Sequence, residues 1–309
     1  MRCHYVPQFY LRNFSIPEKL GYIFAYSRKG QPFKTTINSV AAKNDLYILK
    51  NKDGKKYEGL EEMFATLEGD CKPIIEKIIN TEEINISDDE KVLMSYFIAF
   101  LYTRNLSHLE QQKNSHTALM KKVMQMNAQN KENFKKILEG SKYKINLDDD
   151  KEVEDLRNSI LNFDEHFKIK YSKNSDDYFI ANGMKVGMEL VPYIFDKNWR
   201  LLISRGSRVF IISDNPVVLI RPTNLPHFYG NGFANSHIYL PLSPKISLIL
   251  NTKKGDIKIA DVKRENVDYL NSLIMFYAHQ FIYLNLLSNN INNLFKQTKE
   301  GESEQIIFG

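Results

Sequence analysis

An α+β fold is predicted by three features of the chain: a small β entry near its start, a long helical middle, and a later part made of short β-rich runs separated by turn residues. The short connections of that later part favour an antiparallel sheet. With 309 residues, 43% hydrophobic and 26% charged, the composition is that of an ordinary globular protein. Length alone suggests about two domains. No linker forces a cut, so a single α+β domain over residues 1–309 is expected, with residues 108–175, the most polar stretch, as a helical insertion or lid.

In chain order, residues 21–27 read as a strand, 28–31 as a turn and 33–37 as its return strand. Residues 60–79 place Leu60, Met63, Phe64, Leu67, Cys71, Ile74, Ile75 and Ile78 on one helical face. Glu61 and Glu68, two turns apart, project from similar sides near the edge of that stripe. Pro73 is expected to bend this helix or to start a second one. Ser87-Asp88-Asp89-Glu90 is a capping box in front of Val92, Leu93, Tyr96, Phe97, Phe100 and Leu101, its acids suited to the positive end of a helix. That helix is expected to run past Arg104 toward Met126. Asp148, Asp149 and Asp150 cap or break the next segment, and residues 152–170 look like a further helix.

From Trp199 onward, residues 199–204, 208–213, 217–221, 237–241 and 246–251 read as strands. Residues 264–278 follow as a helix, 281–284 as a last strand, and 288–299 as a terminal helix behind a serine cap.

Several function classes drop out. No apolar run approaches the roughly 18 residues of a membrane-spanning helix, and the start lacks the apolar stretch and cleavage site of a secretory signal, so a soluble, cytoplasmic protein is expected. Cys3 and Cys71 cannot make a disulfide framework or a zinc-finger spacing. The net charge of +5 permits a phosphate-bearing partner without being the footprint of a dedicated DNA-binding domain. A P-loop, a dinucleotide fingerprint, HExxH and GxSxG are all missing from the sequence. Residues 228–233, FYGNGF, read either as a plain surface loop or as an aromatic loop able to cover a site or stack on a base. His227, His237 and His279 form no metal-ligand spacing.

The chemistry concentrates in HYVPQFYLRNF, residues 4–14, where His4, Gln8, Tyr10 and Arg12 are crowded among large apolar side chains. Such groups are costly to bury without partners. Gln8 and Arg12, four apart, share a face in either a helix or a strand, and His4 groups with them. His4 suits a general base, a metal ligand, or a core histidine bonded to a carbonyl. Arg12 and Arg104 carry donor forks suited to phosphate, or to structural pairing with Glu61, Glu68 or Asp214. Ser213-Asp214-Asn215-Pro216, between two apolar runs, has the composition of a turn. A carboxylate held at such a strand end could equally bind a divalent ion or act as a base.

The opening motif, Leu67-Glu68, Arg104, Ser213-Asp214-Asn215-Pro216 and Tyr239-Leu240-Pro241-Leu242-Ser243-Pro244 together resemble, in the same order, a bacterial family catalogued as a domain of unknown function. Members often open with two adjacent histidines; Cys3 stands at the first of those places, itself a ligand type. The resemblance implies a soluble bacterial protein, at times encoded among mobile or defence genes. By matching position it marks His4, Gln8, Arg12, Glu68, Arg104, Asp214 and Asn215.

These residues lead to an expected phosphodiester hydrolase, a nuclease-like effector of bacterial defence. Glu68 and Asp214 would hold Mg or Mn, His4 would be base or ligand, and Arg12 or Arg104 would stabilise phosphate charge, with Gln8 and Asn215 in the same catalytic set. The alternative is a noncatalytic module that binds nucleic acid or a protein partner, in which the same residues form a satisfied buried network. In the first case the opening segment must fold inward, so that His4 and Arg12 face the Asp214–Asn215 corner.

Overall fold

The computed structural model describes residues 1–27, 31–50, 53, 55–141, 145–222, 232–252 and 258–300, the side chains of 50, 173, 174, 297, 299 and 300 excepted. It divides into two compact units, Met1–His108 with Ile180–Gly309, and Leu109–Phe179. The first half of the larger unit holds β1 (Arg2–His4), α1 (Gln8–Arg12), β2 (Tyr22–Ser27), β3 (Phe33–Thr36), β4 (Ala42–Asn44), β5 (Leu49–Lys50), β6 (Lys56–Tyr57), α2 (Gly59–Thr81) and α3 (Asp88–Thr103). Then α4 (Leu106–Gln129) leads to α5 (Lys131–Glu139), α6 (Asp150–Leu161) and α7 (Phe163–His166), and α8 (Lys173–Phe195) leads back. The chain closes with β7 (Asn198–Ile203), β8 (Ile212–Ser213), β9 (Val218–Ile220), β10 (His237–Pro241), β11 (Ile246–Asn251), β12 (Ile259–Asp261), α9 (Arg264–Tyr277), β13 (Phe281–Leu284) and α10 (Asn289–Glu300).

The fold is α+β, with two main sheets where the sequence suggested one in its later part. Five strands are ordered β12-β7-β11-β10-β9 and four are ordered β3-β2-β13-β8. β12 runs parallel to β7, whereas β7, β11, β10 and β9 pair antiparallel. Of the run 208–213, only Ile212–Ser213 is strand, and it pairs with β13, which in turn pairs with the N-terminal hairpin. The later chain is therefore stitched to the β entry. Fully buried Ile211, Ile274 and Leu284 belong to one core with Tyr239 and Tyr26, drawn from both sheets and α9. Each such aliphatic side chain contributes about 1.5–3 kcal/mol relative to exposure.

The capping box forms as expected: Glu90 N donates to Ser87 Oγ at 3.1 Å, and Ser87 N donates to Glu90 Oε2 at 2.8 Å. The helix then stops at Thr103 instead of running on. Asn105 is the reason: its Nδ2 donates to the carbonyls of Leu101 and Tyr102 at 3.3 and 2.7 Å, while its Oδ1 accepts from His108 N at 2.8 Å. One side chain thus closes α3 and opens α4. α2, by contrast, passes through Pro73 as a single helix. The proline lacks the N–H that would bond the Gly69 carbonyl four residues back.

In the smaller unit, Ala128, Phe134, Leu138, Val153 and Ile160 form a separate core. Asp149 caps α6 by accepting from Lys151 N at 2.9 Å and Glu152 N at 3.2 Å, and that helix ends at Leu161, short of the expected residue 170. Among the described residues, no helix is long and apolar enough to cross a membrane.

Candidate functional site

Pairing of β1 with β4 sets Cys3 opposite Lys43 and His4 opposite Ala42, and Tyr5 N continues the tie by donating to the Ala41 carbonyl at 2.9 Å. Pro7, whose fixed φ suits a helix start, precedes the five-residue α1. Two long-range bonds fasten this opening to the end of β10 and the residue after it. The Tyr10 hydroxyl donates to the Pro241 carbonyl, and Asn13 Nδ2 donates to the Leu242 carbonyl at 3.1 Å. Tyr10 is fully buried, so its work is anchoring.

The turn of α1 aligns Arg12, Gln8 and His4. Arg12 Nη2 donates to Gln8 Oε1 at 3.5 Å, and Gln8 Nε2 lies 3.4 Å from His4 Nδ1. An arginine can only donate, so the Gln8 amide oxygen faces Arg12 and its nitrogen faces the imidazole. His4 Nδ1 is consequently the acceptor, and the neutral ring carries its proton on Nε2. That Nε2 is buried and makes no hydrogen bond of good geometry, although the Asn38 backbone lies near enough to the ring to act on it. Burial lowers the His4 pKa from its ordinary 6.5; the Asn38 backbone opposes this, and the charges of Arg2 and Arg104 add to the lowering. The imidazole therefore stands neutral in a positive local field.

Arg104 caps the end of α3 with only 3% of its side chain exposed and donates to Glu68 Oε1 at 2.8 Å. Its guanidinium also lies 4.6 Å from the centre of the Phe64 ring. The Tyr47 hydroxyl donates to the Arg104 carbonyl at 2.5 Å, and it feels the charges of Arg104, Glu61, Cys3 and Glu68. Burial and the neighbouring Glu61 raise the pKa of the Cys3 thiol, leaving it a poor nucleophile. Arg104 Nε and Glu61 Oε1, like His4 Nε2, are buried and unpaired. Polar atoms in that condition cost about 1–3 kcal/mol each, and a group of them marks a place where a ligand or water completes the bonding.

The later corner has a different character. Asp214 is fully buried and accepts three backbone bonds, from His279 N at 2.8 Å, Gln280 N at 2.7 Å and Phe281 N at 2.9 Å. Burial raises its pKa and the three amides pull it back. The charge of Asp214 acts on Tyr5 and Tyr283, so within the opening segment Tyr5 faces this corner, while His4 feels Arg2 and Arg104. Asn215 Oδ1 accepts from Asn105 Nδ2 at 2.9 Å, and Asn215 Nδ2 donates to the Tyr277 carbonyl at 2.9 Å. Asn105 thus links the corner to the end of α3, next door to Arg104.

The structure accordingly brings His4, Gln8 and Arg12 together, sets Arg104 with Glu68 behind them, and uses Asp214 and Asn215 to clamp the loop before β13. The two carboxylates expected at a divalent ion each have another partner, Arg104 for Glu68 and backbone amides for Asp214. Among the described residues, no group of three or more His, Cys, Asp or Glu could hold a metal ion. His227 and residues 228–231 of the aromatic loop lie outside the described residues. Sequence reasoning missed Tyr47 and Asn105 as members of the network. Glu61 was visible through its two-turn spacing from Glu68, whereas Tyr47 and Asn105 carried no local signal.

A family model described as "Protein of unknown function (DUF4238)" matches residues 2–286. No curated protein and no solved structure matches the chain.

Proposed function

The chain belongs to the DUF4238 family, a family of unknown function, so we propose its reaction from the site alone: hydrolysis of a phosphodiester, with His4 as general base and Arg12 as the phosphate-binding donor. The observation that carries this reading is the buried neutral imidazole that feels the charges of Arg2 and Arg104 and connects to Arg12 through Gln8, with Nε2 making no hydrogen bond. Such a site is one anion short, and a phosphate supplies it. The bonds Arg12–Gln8 and Gln8–His4, at 3.5 and 3.4 Å, are at the long limit of hydrogen bonding and contribute little, so a substrate oxygen can replace Gln8 Oε1 at Arg12, and the attacking water can replace Gln8 Nε2 at His4 Nδ1, at small cost.

In the proposed reaction, His4 Nδ1 takes a proton from water as the water oxygen attacks phosphorus. The bond from phosphorus to the leaving oxygen breaks, and that oxygen receives the proton back from His4. Burial, with the charges of Arg2 and Arg104 adding to it, keeps His4 neutral and also makes its imidazolium a ready acid for this second step. Arg12 stabilises the charge gathering on the phosphoryl oxygens. Gln8 holds Arg12 and the imidazole in place only until substrate and water displace it; Arg104, held by Glu68, maintains the field. A magnesium or manganese ion used by the reaction would arrive on the substrate phosphates, as is common for magnesium.

A second reading, a noncatalytic binding module, is favoured by the buried and fully engaged Asp214 and Asn215. One assay separates the two. Labelled single-stranded DNA and RNA are incubated with purified protein in magnesium, manganese or EDTA. Cleavage by wild type, abolished in His4→Ala and reduced about 100-fold in Arg12→Ala, supports the hydrolase. Binding without cleavage in all three media, or undiminished cleavage by His4→Ala, rejects it.

A further inference from the structure

A general base is oriented by a further group, and once substrate and water displace Gln8 that group must lie elsewhere. Arg2 and His4, two positions apart on β1, share one face of the strand, while Cys3 between them is buried on the other. Arg2 Nη2 donates to the Ser39 carbonyl at 2.7 Å. Ser39 ends a single 3-10 turn, Ile37–Ser39, that follows β3. Beside it in the turn, the Asn38 backbone favours the protonated form of His4. A backbone group does so only by accepting, so the Asn38 carbonyl is what faces the imidazole.

The turn is fixed from several sides. Ser39 Oγ donates to the Thr36 carbonyl at 2.7 Å, which makes it the acceptor for Thr36 Oγ1 at 3.1 Å and for Thr35 Oγ1 at 2.7 Å. Buried Ile37 donates its N–H to the Gly21 carbonyl at 3.0 Å. Two residues beyond Ser39, Ala41 stands at φ 48°, in the left-handed region that a Cβ disfavours, and its carbonyl accepts from Tyr5 N at 2.9 Å. Strain of this kind persists only where the surroundings enforce it. Here the strand that carries His4 is part of that enforcement.

We propose that Arg2, acting through the turn Ile37–Ser39, is a positioning residue for His4: it holds the Asn38 carbonyl against the Nε2 proton, which fixes the ring and leaves Nδ1 to take a proton from water. This rests on the reading of His4 as general base. Gln8 faces Nδ1, so Nε2 is the nitrogen left for Asn38. Their contact falls short of good hydrogen-bond geometry in the resting site, as catalytic bonds often do before substrate tightens them. A carboxylate in that place would stabilise the imidazolium strongly. The uncharged carbonyl orients the ring and leaves its imidazolium acidic enough to return the proton to the leaving oxygen.

Nitrogen-15 spectra of the His4 ring test this without substrate. They are recorded in Gln8→Ala protein, so that Gln8 cannot orient the ring, at about pH 8, above the ordinary histidine range. Salt at about 1 M confines charge effects to about 3 Å. Gln8→Ala alone is expected to keep the proton on Nε2. Adding Arg2→Met, which removes the donor to Ser39, or Ser39→Ala, which loosens the turn and keeps the charge of Arg2, should move the signals toward the tautomer mixture of a free histidine; Arg2→Lys should restore them. With Gln8 present, Arg2→Met and Ser39→Ala should each lower kcat for single-stranded nucleic acid about tenfold with KM nearly unchanged. Arg2 and Ser39 are exposed, and melting temperatures check that the variants fold. Should Arg2→Met fail to fold, Ser39→Ala decides. A mixture already in Gln8→Ala alone, or an unchanged tautomer in either folded variant, overturns the positioning role, and the hydrolase still stands if wild type cleaves and His4→Ala does not. Tautomer mixing in the variants, with no cleavage by wild type, overturns the hydrolase and supports the hold of the turn on His4.

Discussion

Arg104 donates to Glu68 at 2.8 Å from a side chain that is almost wholly buried, while a quarter of Glu68 remains exposed. The pair is asymmetric, and removing its two members should have unequal consequences. Glu68→Ala leaves a buried guanidinium without its counter-charge. A fully buried pair broken in this way costs about 3–5 kcal/mol, and the exposure of Glu68 reduces the expected loss to about 2 kcal/mol. Urea denaturation measures it. Glu68→Gln, which retains an acceptor, should lose less. A Glu68→Ala protein as stable as wild type would mean that Arg104 is held by Phe64 and the α3 terminus alone.

Asp214 is expected to act on stability before anything else. Three backbone amides lose their acceptor in Asp214→Ala, each worth about 1–3 kcal/mol when buried and unpaired, so a loss of about 3 kcal/mol or more is expected in the unfolding free energy. Asp214→Asn keeps one acceptor oxygen and should fall between the two. If Asp214→Ala instead folds with unchanged stability and loses only activity, the corner is part of the catalytic centre.

His108 should make the protein sensitive to mild acid. Its folded pKa, about 4, lies below the ordinary 6.5, so between those values the unfolded chain takes up a proton that the folded ring refuses. Stability contributed by this residue is complete above pH 6.5 and drains away as the pH falls toward 4. A gap of about 2.5 pH units corresponds to about 3 kcal/mol. Melting temperatures of wild type and His108→Phe, compared across that window, isolate the effect from other titrating groups. The difference between the two proteins should change with pH; a constant difference would place a titratable, solvated imidazole at position 108.

Elements governed by neighbouring residues were readable from the sequence. The Ser87 capping box, the strands at 237–241, 246–251 and 281–284, and the α+β class all follow from signals within a few positions. Long-range choices were not. The end of α3 depends on one asparagine bonding backward, forward and across to Asn215, in a stretch whose hydrophobic pattern continues into α4. The two residues of β8 gave no sign of leaving their neighbours for the sheet of the N-terminal hairpin. α8, 23 residues long, went unassigned because polar residues at its start and Pro192 near its end mask the helical period. Within the site, the four-residue spacing correctly grouped His4, Gln8 and Arg12, and Glu68 was among the partners foreseen for Arg104. The amides that occupy Asp214 come from a loop more than sixty positions away, and local composition at an aspartate cannot reveal them.

The state of His4 bears the weight of the whole account, and nitrogen-15 spectra of the histidine side chains, assigned with His4→Gln, read it directly. At about neutral pH, His4 should be uncharged with its proton on Nε2, should titrate below 6.5, and should shift its titration upward when dimethyl phosphate is added, because a bound anion offsets Arg2 and Arg104. An imidazole already charged at neutral pH, protonated on Nδ1, or indifferent to the phosphodiester would contradict the assignment of this site.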